Sequence, residues 1–225
     1  MTGKVNRVTT MEAFMFASID SNKGKLLHSR AILIYGAAGI ALAELAERGR
    51  ISIENRRVAI KDASLTGDLL LDELLDVIGK KGSHYRLNSL ISSMQYKVKR
   101  FGKRLLENLE DNGMVRIEQG RFLGLIPYNR YIVTQVHEHT RLVEELKEIV
   151  LSGNRMPEPR KAMLISMLHT CSVLRRRFDN NEYRQAKEVL KQIGKGQFFD
   201  SLSNDGRELQ KAVKMAITAA QTAAS

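Results

Sequence analysis

The chain has 225 residues, of which 43% are hydrophobic and three are prolines, and its 36 Lys and Arg exceed its 25 Asp and Glu to give a formal net charge of +11. This composition excludes a largely disordered chain and indicates a folded protein with a sizeable core. The single cysteine, Cys171, excludes an internal disulfide and a cysteine-rich metal site, and the positive charge favours an anionic partner, either nucleic acid or an acidic membrane.

The N-terminal part of the chain is polar. It contains no apolar signal segment, and no apolar run in the sequence reaches the about 20 residues needed to cross a bilayer. We therefore expect a cytoplasmic protein that associates with membranes peripherally. Residues 1–10 are expected to be a loose N-terminus, and a short apolar helix is predicted over residues 11–19, with a turn at 20–24.

The longest apolar stretch covers residues 31–43 and predicts a buried central helix, because a helix that is apolar on every side has no face for water. Gly36 and Gly39 lie inside this stretch. Glycine is unfavourable in a helix interior, so these two residues indicate close crossings by other helices. They do not indicate a phosphate-binding loop, which would end in Lys-Ser or Lys-Thr. A stop at Gly49 and a hairpin over residues 51–60 follow.

Basic residues are concentrated in the next part of the chain. A helix-like segment over residues 85–93 precedes a predicted helix over residues 94–110, which carries five cations and no acid within eight residues. A second hairpin is predicted over residues 114–126 with its turn at Gln119 and Gly120, and residues 127–131 are predicted to be an exposed turn. The five cations are Lys97, Lys99, Arg100, Lys103 and Arg104.

Helical spacing of apolar residues accounts for the rest of the chain. The predicted helices cover residues 134–151, 160–178, 182–193 and 207–223. The predicted fold class is therefore mostly α, with two short β-hairpins.

The sequence offers no catalytic constellation. His137 and His139 are two residues apart, so they point to different sides of a helix, and no HExxH motif is present. His169 and Cys171 have the same spacing and cannot form a nucleophile–base pair without a third element. We therefore expect no enzyme activity, no metal site and no cofactor.

Two other features indicate a binding surface. Residues 97–104 are more basic than an ordinary solvated helix face, although solubility alone is an alternative explanation, and residues 175–177 add a second cluster of cations. An acidic lipid surface contributes about 1 kcal/mol for each basic residue close to it, so such contacts would give weak, salt-sensitive docking. The apolar end of the second hairpin would enter the lipid interface, pair with another subunit or cover the core.

A nucleic-acid-binding protein is the alternative hypothesis. A basic helix followed by a hairpin is typical of winged-helix-like proteins, and here these elements would be helix 94–110 and hairpin 114–126. The phosphate contacts would come from Lys97, Lys99, Arg100 and Lys103. We expect lipid rather than nucleic acid to be the partner, and a scaffold that binds neither is a third alternative.

Several motifs, taken in order, resemble the Golgi phosphoprotein 3 family and its prokaryotic relatives. The most specific are LAELAERGRI at residues 42–51 and TGDLLLDE at residues 66–73. Arg104-Leu105 with Asn108-Leu109, GMV at residues 113–115 and RFLGL at residues 121–125 follow. The likeness covers the chain after Thr10, so residues 11–225 are expected to form one Golgi phosphoprotein 3-like domain.

The resemblance implies a helical bundle wrapped by amphipathic helices, with a projecting hairpin over residues 121–131. The eukaryotic relatives are peripheral membrane proteins that bind phosphatidylinositol 4-phosphate, and their hairpin contributes to membrane contact and self-association. A homo-oligomer formed through this hairpin is the corresponding expectation here. The hairpin contacts would come from Leu123, Leu125, Ile126, Pro127 and Tyr128.

The headgroup-binding Trp and Arg positions of the Golgi proteins align with Ser29, Ala38, Lys99 and Gly102. Only one of these four residues is a cation, so the bidentate phosphate geometry of an Arg fork is missing. We therefore expect a non-catalytic peripheral membrane protein that binds anionic headgroups generally, without strict recognition of phosphatidylinositol 4-phosphate. The candidate lipid- or phosphate-binding residues are Arg30, Lys99, Arg100 and Lys103.

Overall fold

A computed structural model describes residues 8–81, 85–122 and 125–223. These residues are mostly helical with short antiparallel strand pairs, which confirms the predicted fold class. The helices are α1 (Thr10–Ala17), α2 (Arg30–Glu47), α3 (Leu69–Gly79), α4 (Leu87–Lys97), α5 (Phe101–Asp111), α6 (Val136–Leu151), α7 (Pro159–Thr170), α8 (Asn180–Gly194) and α9 (Asn204–Thr222). The strands are β1 (Ile19–Asp20), β2 (Lys25–Leu26), β3 (Ile51–Glu54), β4 (Arg57–Ile60), β5 (Tyr85–Arg86), β6 (Val115–Phe122) and β7 (Ile126–Val133).

Helix α2 is the centre of the fold, and α1, α4, α5, α7 and α9 pack against it. The predicted close crossings at its glycines are confirmed. A Cβ atom on Gly36 would lie 2.5 Å from Phe14 Cζ and 2.6 Å from Cys171 Sγ, and one on Gly39 would lie 2.8 Å from Val213 Cγ2. Neighbouring helices therefore approach the α2 backbone at distances that only glycine permits.

The first hairpin pairs β3 with β4, and its turn residues Asn55 and Arg56 have φ of 52° and 60°. Such left-handed pairs match the twist of a two-residue hairpin. Strand β5 adds to β4, so the helix predicted to begin at residue 85 is wrong at its start. Buried Tyr85 pairs with Val58, and the chain becomes helical only at Leu87.

The helix predicted over residues 160–178 is also wrong at its C-terminal end. Helix α7 ends at Thr170, Ser172 adopts φ of 58°, and the N–H of Val173 donates to Leu168 O at 2.9 Å. A 3-10 turn, Leu174–Arg177, follows. This change of direction allows Arg177 to reach the C-terminal end of α1, where its guanidinium donates to backbone carbonyls.

The N-terminal segment predicted to be loose is described only from residue 8 onward. Val8 packs against the core, and Thr9 caps α1 in a capping box with Glu12, in which each side chain accepts a hydrogen bond from the other residue's N–H. Residues 1–7 lie outside the described residues. Within the described residues, nearly all buried apolar side chains from Met11 to Ile217 form one continuous cluster.

Candidate functional site

The predicted helix 94–110 is in fact two helices that meet at a corner, so the continuous basic helix is wrong. Helix α4 ends at Lys97, Val98 is extended and buried, Arg100 is left-handed with φ of 55°, and α5 begins at Phe101. The N–H of Lys99 donates to Glu73 Oε1 at 2.8 Å, which holds the corner against α3. The basic side chains therefore surround a bend instead of lining one helix face.

Arg30 joins this corner from the first turn of α2. Gly102 packs so closely on α2 that a Cβ atom would lie 2.6 Å from Ile34 Cγ1 and 3.8 Å from Arg30 Nε. Lys103 follows Gly102 directly in the first turn of α5. The fold thus brings together residues 70 positions apart in sequence, and we call Arg30, Lys99, Arg100 and Lys103 the corner site.

The N-termini of two helices contribute positive potential to the corner site. Neither α2 nor α5 has an acidic residue in its first turn, and the N-cap residues Ser29 and Arg100 make no side-chain capping bond. The dipole at such a terminus favours anions. The backbone therefore reinforces the charge of the side chains.

Two carboxylates balance part of this charge. Glu107 Oε1 lies 2.9 Å from Arg100 Nη2 and 3.3 Å from Lys103 Nζ. Partial burial favours a higher pKa for Glu73, but hydrogen bonds from the Arg104 side chain and the Lys99 N–H outweigh it and lower this pKa, so Glu73 stays ionised. Among the described residues, no ion pair engages the side chains of Arg30 and Lys99, and both are exposed.

The three arginines at 175–177 do not form one cluster. Arg175 stacks on the Tyr183 ring at 3.6 Å, and Arg177 is largely buried by the carbonyls of α1 and β1. Arg176 is exposed, and partial burial together with the charge of Arg176 lowers the pKa of His28. Arg176 therefore lies near the N-terminus of α2 and adds to the positive field there, a placement that sequence reasoning missed.

The second hairpin differs from its prediction in both length and register. Strands β6 and β7 pair from Val115 with Val133 to Phe122 with Ile126. The predicted turn at Gln119 and Gly120 and the exposed turn at 127–131 are both wrong, because these residues lie within the strands. Gly120 faces Tyr128, whose ring Cζ would be 2.6 Å from a Cβ atom there, so this glycine makes room for a ring.

The far half of this hairpin is exposed and does not cover the core. Leu125 and Ile126 are 84% and 61% exposed, Pro127 and Tyr128 are also exposed, and burial resumes only at Tyr131. Leu123, the remaining predicted contact residue, lies outside the described residues. Two hydrogen bonds fix the base: Glu110 Oε1 accepts from the Ile117 N–H at 2.7 Å, and Gly24 O accepts from the Tyr131 N–H at 2.9 Å.

Comparison with known proteins assigns this chain to a family. The family model for Golgi phosphoprotein 3 (GPP34) matches residues 11–220. The chain belongs to the Golgi phosphoprotein 3 family. It is also 25% identical over 223 residues to vacuolar protein sorting-associated protein 74 of Schizosaccharomyces pombe, and this match covers 84% of the chain and 66%, just under two thirds, of that relative.

In this member of the Golgi phosphoprotein 3 family, no helix within the described residues is long and apolar enough to span a membrane. The same part of the chain contains no group of three or more His, Cys, Asp and Glu side chains arranged to hold a metal ion. Cys171 is buried, which raises the pKa of its thiol to about 12, so the thiol is unreactive at neutral pH.

His169 makes this family member sensitive to acid. Burial, together with the charge of Lys214, lowers the pKa of His169 from 6.5 to about 4. The unfolded chain binds this proton at higher pH than the folded protein, so stability that is complete above pH 6.5 is lost as the pH falls toward 4. We expect this group to cost about 2 kcal/mol of unfolding free energy at pH 5.

Urea denaturation at pH 8 and pH 5 tests this expectation. The substitution His169→Gln should reduce the difference in unfolding free energy between the two pH values by about 2 kcal/mol. His137→Gln, at an exposed position, is the control and should leave the difference unchanged. The same pH dependence in His169→Gln and in the parent protein would contradict the assignment.

Proposed function

We propose that this protein is a non-catalytic peripheral membrane protein that binds anionic lipid headgroups at the corner site. The observation that carries the proposal is the convergence of Arg30 with Lys99, Arg100 and Lys103 beside two helix N-termini that lack acidic caps. A phosphate-bearing headgroup is the ligand that such a concentration of cations and positive helix ends favours. Membership of the Golgi phosphoprotein 3 family supports a role at membranes.

The proposed specificity is for negative charge, with little preference for phosphatidylinositol 4-phosphate. Of the four positions aligned with the headgroup-binding residues of the Golgi proteins, Ala38 is fully buried in α2 and Gly102 packs on Ile34. Neither can contact a headgroup through a side chain. Exposed Tyr96, in the last turn of α4, is an aromatic residue of the kind that favours the membrane interface.

The far half of the second hairpin supports a further part of the proposal. Exposed Leu125, Ile126 and Tyr128 would enter the lipid interface or pair with a second copy of the chain. Both arrangements remove apolar surface from water. Sedimentation of the protein with and without vesicles distinguishes a dimer that forms in solution from hairpin contact that forms on the membrane.

Co-sedimentation with vesicles tests the corner site. Phosphatidylcholine vesicles are compared with vesicles that also contain phosphatidylglycerol or phosphatidylinositol 4-phosphate, each at low and high salt. We expect salt-sensitive binding to both acidic compositions. Replacing Lys99, Arg100 and Lys103 together with Gln should weaken it about 100-fold, since each basic residue contributes about 1 kcal/mol.

The matched control replaces Lys187, Lys191 and Lys195 on or next to α8 with Gln, which removes the same charge from exposed positions outside the corner site. It should bind almost as the parent does. Unchanged binding by the corner-site variant would reject the site, and a strong preference for phosphatidylinositol 4-phosphate would reject the proposed specificity.

Nucleic acid remains the second candidate on the strength of the net charge alone. A winged-helix-like protein would place a continuous basic helix in the major groove of DNA. The break between α4 and α5 leaves no such helix over residues 94–110. We therefore expect no gel shift with a short DNA duplex at moderate salt. A shift that the corner-site substitutions abolish would favour this candidate over lipid.

A further inference from the structure

A basic groove, separate from the corner site, lies along the side of the second hairpin. It shares no residue with the corner site. It has a volume of about 620 Å³ and is formed by the turn between β1 and β2 and by both strands of the hairpin. Four of its seven lining residues are cations and none is acidic. We call it the hairpin groove, and its lining is Lys23, Gly24, Lys25, Arg121, Tyr128, Asn129 and Arg130.

Two close backbone approaches build this groove. Gly24 has φ of 62°, and a Cβ atom on it would lie 2.8 Å from Arg130 Cγ and 3.2 Å from Arg130 Nε, so the arginine stem lies across the turn. The Tyr131 N–H donates to Gly24 O and ties the turn to β7. Tyr128 lies over Gly120, which holds its ring at the groove.

The nearby carboxylates leave the charge of the groove largely uncompensated. Glu118 is opposite Arg130 in the strand register, but its Oε1 accepts a hydrogen bond from Arg116 at 3.0 Å. Asp20 Oδ1 accepts the N–H groups of Asn22 and Lys23 and so caps the turn. Among the described residues, no ion pair joins a groove cation to an acid. An anionic ligand would supply the missing counter-charge.

We propose that the hairpin groove binds the phosphate of an anionic phospholipid headgroup, as a second lipid site beside the corner site. The proposal rests on the proposed membrane function and extends it. The volume of the groove suits one small ligand, and Asn129 and Tyr128 add hydrogen-bond donors to the four cations.

The position of the groove on the hairpin favours a membrane lipid as the occupant. The last strand pair, Phe122 with Ile126, adjoins the exposed Leu125, and Arg121 and Tyr128 lie one and two pairs below it. At about 3.4 Å per residue, these two side chains are about 3–7 Å from that pair. The headgroup layer on each side of a bilayer is about 5–8 Å thick. A hairpin end in the apolar boundary would therefore hold the Arg121 and Tyr128 end of the groove at headgroup depth.

Charge and size disfavour the other occupants. A second copy of the chain would bring four cations against four cations across a symmetric contact. A nucleic-acid duplex presents a long line of phosphates, whereas this groove accommodates one small group. Measurements of DNA binding and of the monomer–dimer equilibrium distinguish these two occupants from a lipid.

The experiment combines binding with a probe of depth. The parent protein for this experiment carries the substitution Leu125→Cys, and the introduced thiol is labelled with an environment-sensitive fluorophore. The label attaches only there, because Cys171 is buried and the pKa of its thiol is raised to about 12. The groove variant adds Gln at Lys23, Lys25, Arg121 and Arg130, all of them exposed. The matched control instead adds Gln at Lys187, Lys191, Lys195 and Lys211. All are titrated with phosphatidylcholine vesicles containing phosphatidylglycerol, and circular dichroism confirms folding.

We expect the label of the parent to enter an apolar environment, and the groove variant to require at least 30-fold more acidic lipid than the matched control. If the groove variant binds like the control, the groove is not a lipid site. The corner-site variant tests the proposed function separately, so that function would still stand or fall on its own result. A parent that binds no acidic vesicle overturns both. The headgroup assignment is overturned if the label on vesicle-bound protein stays in water. It is also overturned if the groove substitutions affect binding to a short DNA duplex, or the monomer–dimer equilibrium, and leave lipid binding unchanged.

Discussion

Replacing Arg177 with Met is expected to lower the free energy of unfolding by about 3–5 kcal/mol. Its Nη2 donates to Ala17 O and to Ile19 O, each at 2.6 Å, and its Nε donates to Ala17 O at 3.1 Å. Burial lowers the pKa of Arg177 to about 10, but the guanidinium is still charged at neutral pH. Met has a similar length and no donor, so it would leave the carbonyl of Ala17 without this partner.

Urea denaturation followed by circular dichroism measures this effect. The neighbouring Arg176→Met is the control, because Arg176 is exposed, and we expect it to change stability by about 0.5 kcal/mol or less. A result for Arg177→Met as small as that for Arg176→Met would show that the buried guanidinium adds little net stability.

The second large effect is expected from Gly36→Ala in α2. Alanine normally stabilises a helix interior relative to glycine, by about 0.5–1 kcal/mol. Here the added methyl would overlap both the Phe14 ring and Cys171 Sγ, which are buried and have little room to move. Overpacking of this kind outweighs the gain in propensity, so we expect a net loss of about 2–3 kcal/mol.

The control for this substitution is Gly79→Ala at the end of α3, where a Cβ atom would meet nothing within 4 Å. It should leave the midpoint of urea denaturation unchanged or raise it slightly. If both alanine variants were equally stable, the helix crossings at α2 would be looser than the structure indicates. The effect of Gly36→Ala on stability would then come from helix propensity alone.

The parts of the fold that depend on local pattern were predictable from sequence. The apolar run over residues 31–43 predicted the buried α2, and its glycines predicted the helix crossings. The corner between α4 and α5 was not predictable, because residues 98–100 contain neither Gly nor Pro. The bend depends instead on distant contacts, chiefly Gly102 against Ile34 and the Lys99 N–H on Glu73.

The second hairpin differs from its prediction for another reason. Glycine marks turns, but it also occurs in strands where a ring from the opposite strand needs space, and Gly120 serves Tyr128 in this way. Sequence alone does not separate these two uses. In the observed register, residues 127–131 lie in β7 instead of a turn, and Arg121 and Arg130 both line the groove.

Long-range placement also limited the prediction of the binding surface. The closeness of Lys99, Arg100 and Lys103 in sequence predicts that they act together, whereas only the family resemblance predicts that Arg30 joins them. Nothing in the sequence placed Arg176 near His28, or Lys23 and Lys25 beside a strand about 100 residues later. These associations are consequences of packing.

Helix α5 links the two proposed lipid sites mechanically. The corner site lies at its first turn, and residues 112–114 lead directly from its end into β6, whose base is held by Glu110. An 11-residue helix is about 16 Å long and stiff, so it holds the corner site at a fixed distance from the base of the hairpin that carries the groove. Lipid molecules gathered in one plane would then engage a rigid bivalent receptor. Avidity makes attachment rise more steeply than linearly with the surface density of acidic lipid, so the protein would discriminate between membranes by their composition.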